Sequence, residues 1–318
     1  MNKHIVIERK EAADENASNY GYGPGHDDVI ALFLAAGHPD MDIRAVTTVS
    51  GNADIGKTTR NALVAADTAG LDKVPVAEGA GRPLVRMPEH APSIHGESGL
   101  DGPALPVPAH MVEERHAVDV MEEVLLHSEE DITVIATGPL TNVALLCRKN
   151  PKAARRIRRL SIMGGGTFGN WTPAAEFNIY ADAEAAEIVF ASGIPITMCG
   201  LDVTHQALAS ESVVERIKEI PTMAAQFTYE LLDHFQRAYE ERFHLALPPV
   251  HDPCAVAVCL APSLFTFESA DVKVETAGKH TYGETVIDTT AGGPVQIAVD
   301  IDNDKFWGLI VQSLKNLP

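Results

Sequence analysis

The chain has 318 residues, 45% of them hydrophobic, which suffices for a large α/β core and is too apolar for a disordered chain. Its formal charge of -19, from 25 basic and 44 acidic side chains, repels nucleic acid and anionic membrane surfaces, so a cation or a neutral polar small molecule is the expected ligand. No apolar run approaches the ~20 residues of a membrane span, and the first residues, "MNKHIVIERKEAADENA", lack the apolar stretch of a signal peptide, so the chain reads as cytoplasmic with no membrane partner.

Along the chain, short β-branched runs alternate with helical patterns: "HIVI", then "DDVIALFLAAG", "IRAVTTVS", "TTRNALVAADTAG" and "VPVAEG". Residues 80–115 are loop-rich, with Pro83, Pro88, Pro92, Pro103, Pro106 and Pro108, and contain "IHGESGLDG", a composition suited to a lid or binding loop. Alternation resumes with "AVDVMEEVLLHS", "ITVIATG", "LTNVALLCRK", "RLSIMGGG", "DAEAAEIVFASG" and "ITMCGLDVT". Residues 211–246 read as helical, "HDP" at 251–253 precedes the apolar helix "CAVAVCLA", and 264–303 reads as a small strand-rich appendage before a last helix. Apolar strands joined by amphipathic helices predict an α/β fold: a single domain over 1–318, built on a doubly wound, mostly parallel sheet with helices on both faces. Cys147, Cys199, Cys254 and Cys259 lie scattered in apolar contexts without metal spacing and read as free thiols.

In doubly wound folds ligands bind beyond the carboxyl ends of the strands, so the polar residues that follow each strand are the informative ones. Asp27 and Asp28 follow the first strand, Asn52 the second, Thr137 ends "ITVIAT", and "MGGGTFGNWTPAAEFN" follows the strand around Ile162. Adjacent Asp27 and Asp28 at a helix start suit two roles, capping the helix or ligating a cation. Asp252, with His251 before it, and a carbonyl at Thr137 add hard oxygen donors of the kind that Ca²⁺ or Mg²⁺ takes and zinc does not. A competing motif is "GNADIGKT", Gly51–Thr58, which matches the phosphate-loop pattern between a strand and a helix. Asp54 puts negative charge where that loop would hold phosphates, and a partner Asp for Mg²⁺ is missing, so a nucleotide triphosphatase is the weaker reading.

The words "PGHDDVIAL", "TTVSGN" with "TTRNA", "HGESGLDG", "ATGPLTNVAL", "MGGG", "GNWTPAAEFNIYAD", "GLDVT" and "HDP" resemble, in order over residues 24–260, the nucleoside hydrolase family of inosine- and uridine-preferring enzymes. The resemblance implies hydrolysis of the N-glycosidic bond of a ribonucleoside to ribose and free base, a calcium ion at the sheet's carboxyl edge, and a homodimer or homotetramer. It implies Asp28, the Thr137 carbonyl and Asp252 as calcium ligands, with Asp27 and Asn52 holding ribose hydroxyls or orienting the water. Asn170, Glu176 and Asn178 would grip the sugar, Met163 would line its apolar face, His251 would be the general acid, and His95 and Tyr239 would contact the base.

The chain departs from the family at one place. The family's first strand ends in Asp-x-Asp immediately before Pro-Gly-x-Asp-Asp, and its second Asp is a calcium ligand and the base for water. Counting back from Pro24 puts Gly21 and Gly23 there, whereas counting on from "HIVI" gives Glu8 and Lys10 followed by the thirteen-residue "EAADENASNYGYG". Residues 8–23 therefore read as an inserted loop entering the pocket. Three outcomes stay open: Glu11, Asp14 or Glu15 substitutes for the acid; the cation site is weakened and the base lost, leaving a catalytically weak nucleoside- or ribose-binding protein; or the segment serves another purpose.

Overall fold

Strands buried on both faces carry near-continuous apolar side chains, and the cores on the two sides of the sheet divide them residue by residue. The structure is a computed structural model and describes residues 2–8, 17–22, 26–90, 98–243 and 247–318, with the backbone path alone for 2–8, 17–22 and 238–243. Along strand β6 (Ile132–Ala136), Ile135 joins one core while Ile132, Val134 and Ala136 join the other. Side chains that alternate across a strand have no other arrangement when helices cover both sides.

The remaining strands are β1 (Asn2–Glu8), β2 (Ala17–Tyr22), β3 (Asp42–Val49), β4 (Val76–Ala77), β5 (Val112–Glu113), β7 (Ile157–Met163), β8 (Ile196–Cys199), β9 (Phe265–Val274), β10 (Thr285–Asp288) and β11 (Val295–Ile301). Among the described residues they form one sheet in the order β10-β9-β11-β8-β7-β6-β1-β2-β3-β4-β5. Strands β11, β8, β7, β6, β2, β3, β4 and β5 run parallel to their neighbours in that series. The strand-rich C-terminal segment adds β9 and β10 antiparallel at one edge.

Helices α1 (His26–Gly37), α2 (Ile55–Thr68), α3 (Ala117–His127), α4 (Thr141–Lys149), α5 (Pro151–Ala154), α6 (Phe177–Ala181), α7 (Ala183–Phe190), α8 (Leu201–Thr204), α9 (Glu211–Lys218), α10 (Met223–Phe243), α11 (Asp252–Leu260) and α12 (Asn303–Asn316) follow in chain order. Helix α1 is buried from Val29 through Ala35, and α11 is buried likewise from Asp252 through Cys259; the two pack against each other. A helix apolar all round belongs inside, so both sequences fix the centre of one layer. Outer helices carry side-chain caps: Asp54 accepts from the Lys57 N–H, Ser210 from Val213 and Asp302 from Lys305. Among the described residues no helix is both long and apolar enough to cross a membrane, and all four cysteines are free thiols.

The N-terminal region departs from the expected inserted loop over 8–23. Ala17–Tyr22 is a strand, parallel to β3 with Gly21 opposite Thr47, and parallel to β6 with Ala17 opposite Ile132. "HIVI" lies in β1, which runs antiparallel to β3 and β6, with His4 opposite Thr47 and Ala136. It is therefore β2, and not the "HIVI" strand, that runs in the direction leading to α1. Glu11, Asp14 and Glu15 lie outside the described residues.

Candidate active site

The site is assembled from the turns at the carboxyl ends of the parallel strands. After β2 the chain enters α1 with Asp27 and Asp28 in its first turn. Thr137 follows β6, the glycines at 164–166 follow β7, Gly200 follows β8, and Asp252 opens α11. Residues far apart in sequence meet there because every parallel strand points its carboxyl end the same way.

Asp27, Asp28 and Asp252 each bring a carboxylate oxygen within 4.8 Å of the others, and all three are buried. Two oxygens bound to one calcium at about 2.4 Å stand at most twice that distance apart, so the spacing suits a shared ion. Asp27 Oδ2 accepts the backbone N–H of His251 at 3.0 Å, which ties α1 to α11. The Thr137 hydroxyl donates to Asp28 Oδ1 at 2.8 Å. Burial pushes the Asp252 carboxyl well above the usual carboxylate range, and the neighbouring Asp27 and Asp28 charges push the same way. Burial also raises Asp27, against the N–H groups that stabilise its charge. Three crowded acids in a buried pocket fit a hard divalent cation; Asp28, oriented by Thr137, and Asp252 would hold it, with Asp27 beside them.

Around this cluster, Glu176 N-caps α6, accepting the N–H groups of Asn178 at 2.9 Å and Ile179 at 3.1 Å, and that of Gly165 at 3.0 Å. Burial outweighs those three donors and pushes its carboxyl up to about 7. Asn178 Nδ2 donates to the carbonyls of Thr137 and Met163, each at 3.2 Å, so the Thr137 carbonyl assigned to calcium is also held by the amide assigned to the sugar. A carbonyl has two lone pairs and can serve both. Asn170 Oδ1 accepts the Phe177 N–H at 3.0 Å, Met163 is buried, and Asn52 is half-buried after β3. Asn170 and Glu176 thus both hold N–H groups at the start of α6. His95 and the Tyr239 side chain lie outside the described residues.

His251 is buried at the N-terminus of α11; its Nδ1 lies 2.8 Å from Thr204 Oγ1, and its ring lies 5.6 Å from that of His205. Burial, helped by His205, lowers its pKa to about 3, so the resting imidazole is uncharged at neutral pH. Three contacts escaped the sequence analysis. His26 Nε2 lies 2.6 Å from the Asp101 carbonyl and its ring stacks on His234 and Phe235, joining α1 to the loop at 98–102 and to α10. Thr285 bonds the N–H and the C=O of Gly166, and Thr204 bonds His251. The words "PGHDDVIAL", "HGESGLDG" and "GLDVT" contain His26, Asp101 and Thr204 without marking these contacts; Thr285 lies 119 residues from its partner and no local pattern marks it. The phosphate-loop motif closes on itself: Asp54 caps α2 and pairs with Lys57 at 3.6 Å, while His90 Nδ1 lies 2.8 Å from the Gly51 carbonyl.

A pH dependence follows from the carboxyls. Asp27, Asp252 and Glu176 all have folded pKa values above their unfolded ones, so the metal-free folded chain keeps protons that the unfolded chain has lost. Their contribution is fully present below about pH 4 and is lost as pH rises toward the Glu176 value of about 7. Urea unfolding in chelator is expected to show this part of the stability falling over that window, with calcium flattening or reversing the slope. An identical slope with and without calcium counts against a cation among these acids.

Residues 23–308 match the family model described as inosine-uridine preferring nucleoside hydrolase. The chain is 44% identical over 301 residues to an inosine-uridine preferring nucleoside hydrolase of Crithidia fasciculata, covering 92% of this chain and 96% of the relative. It is 47% identical over 298 residues to the pyrimidine-specific ribonucleoside hydrolase RihA of Escherichia coli O127:H6, with the same coverage. Among solved structures, a purine-preferring ribonucleoside hydrolase from Gardnerella vaginalis superposes with a TM-score of 0.85 at 31% identity, over 92% of this chain and 96% of that one.

Proposed function

The chain belongs to the inosine-uridine preferring nucleoside hydrolase family, and on that premise we propose that it cleaves the N-glycosidic bond of a ribonucleoside to ribose and free base, at a rate held down by the loss of one acid. The observation that carries the reading is the buried cluster of Asp27, Asp28 and Asp252 beside His251. Cleaving this bond develops positive charge on the ribose, and a buried anionic pocket stabilises it more than it stabilises the neutral substrate.

Calcium, when bound, supplies a Lewis acid for the ribose diol and for a water molecule, and Asp28, Asp252 and the Thr137 carbonyl are the groups proposed to hold it. Asp27 and Asn52 hold ribose hydroxyls or orient the water. Glu176, Asn170 and Asn178 grip the sugar while bracing the loop after β7, and Met163 covers its apolar face. His251 offers the N–H of its uncharged ring as a hydrogen-bond donor to the departing base. The reduced rate rests on Gly21 and Gly23, which stand where the family has acids and carry no side chain.

The test is a pair of measurements on uridine and inosine with calcium present: release of reducing sugar, and equilibrium binding. Measurable binding with slow release is expected. Neither binding nor release overturns the enzymatic reading, and unimpaired turnover overturns the reduced rate, unless mutation of Glu11, Asp14 or Glu15 abolishes it and so identifies a substitute base. His251→Ala is expected to slow release from inosine far more than release from an aryl riboside whose leaving group needs no proton. Equal losses on both substrates would make His251 a positioning residue.

A further inference from the structure

We infer that Thr204 is a positioning residue for His251: its hydroxyl donates to Nδ1 and so leaves the ring hydrogen on Nε2. The inference deepens the assignment of His251 as donor to the leaving base, and rests on it. Thr204 ends α8, directly after the turn that follows β8, and is fully buried. Its Oγ1 lies 2.8 Å from His251 Nδ1.

The direction of that bond follows from the hydroxyl's alternatives. Two other buried helical threonines send their hydrogens to the carbonyl four residues back, Thr68 to Val64 at 2.8 Å and Thr228 to Ala224 at 2.7 Å. Thr204 does not, and among the described residues its hydroxyl is hydrogen-bonded to His251 alone. If Nδ1 carried the hydrogen, it would donate to Oγ1 and the buried hydroxyl would keep an unused hydrogen, which is unfavourable. If Nδ1 is bare, the hydroxyl donates and both groups are satisfied, and the imidazole hydrogen then sits on the other ring nitrogen. His205, the next residue, sets its ring 5.6 Å from that of His251 at 51° and meets Phe168 edge-on at 5.2 Å. Two successive residues therefore touch the imidazole, Thr204 at its nitrogen and His205 by a tilted ring contact. A hydrogen fixed on Nε2 is the form in which that nitrogen can serve as a donor, as the assignment of His251 requires.

The tautomer is readable without turnover. In the full-length chain labelled with ¹⁵N-histidine, multiple-bond ¹H–¹⁵N correlation at mildly alkaline pH should show His251, identified by the signals that vanish in His251→Gln, with a protonated Nε2 and a bare Nδ1. Thr204→Val keeps the shape and removes the hydroxyl, so the two nitrogen shifts should move toward each other as both tautomers become populated. Thr204→Ser should restore the original pair. A protonated Nδ1 in the unmodified chain overturns the inference, as does an unchanged spectrum in Thr204→Val. Should Thr204→Val fail to fold, as a melting curve would reveal, the tautomer of the unmodified chain and of Thr204→Ser still decides. Equal loss of rate on both substrates in His251→Ala overturns the donor role instead, so the two failures are distinct results.

Discussion

Replacing residues 8–23, "ERKEAADENASNYGYG", by a three-residue Asp-x-Asp turn is expected to raise nucleoside hydrolysis by about 10²–10⁴-fold, the contribution typical of a positioned general base. In the unmodified chain the strand leading to α1 is β2, and its Gly21 sits opposite Thr47 near the carboxyl end of β3. Glycine there supplies neither a proton acceptor nor an anionic ligand. The shortened chain would separate "HIVI" from Pro24 by the Asp-x-Asp turn alone and let the apolar His4–Ile7 segment fill the position between β3 and β6 in the parallel sense. That exchange also suits the sheet, because a central parallel strand favours β-branched apolar residues over the Ser, Asn and Gly of β2. Substrate affinity should change little, since Asn170, Glu176 and Asn178 come from the segment after β7. Steady-state rates with uridine and inosine, together with equilibrium binding, check both halves. No gain in rate from a folded, calcium-loaded variant would mean that the chain already holds a working base.

Calcium affinity should fall on the order of 100-fold or more in Asp28→Asn and in Asp252→Asn. Loss of a group that merely orients a ligand costs about 10–100-fold, and removing an anionic ligand itself costs at least the upper end of that range. Thr137→Val removes the hydroxyl that donates to Asp28 Oδ1 and should stay at the lower end, near 10-fold. Binding to the folded state stabilises by about 2.7 kcal/mol at a ligand concentration 100 times Kd. Calcium should therefore raise the melting temperature of the unmodified chain by several degrees, and chelator should reverse the rise. Isothermal titration and melting curves for the three variants give the ranking. Equal affinities in Asp28→Asn, Asp252→Asn and the unmodified chain would remove these acids from the ion's shell.

Asp28→Asn also separates the two readings of adjacent acids at a helix start. A cap tolerates the change, since Asn caps about as well as Asp, whereas a ligand loses the calcium response. The observed bonds already favour a role beyond capping, because Asp27 accepts from His251, 224 residues away, and Asp28 accepts from Thr137, 109 residues away.

The sequence by itself determined the parallel α/β class, the helix that Asp27 and Asp28 open, the helix that Asp252 opens, and the family. These are legible because strand and helix periodicity is local, and because a residue that ends a parallel strand has its location fixed by the strand. It also marked the phosphate-loop pattern as the weaker reading, since Asp54, three residues before Lys57, puts negative charge inside it; in the structure Asp54 caps α2 through the Lys57 N–H. Only the tertiary structure decided which segment supplies the strand before α1. "HIVI" has the better strand composition, yet direction and connection to α1 put Ala17–Tyr22 in the parallel pairing. The fold likewise decided that Glu176 and Asn170 cap and brace their own loop, that Thr285 clamps Gly166, and that Thr204 holds His251. Such contacts join side chains whose sequence separation carries no period, and they exist because burial in the closed sheet and helix layers leaves each polar atom a small set of partners.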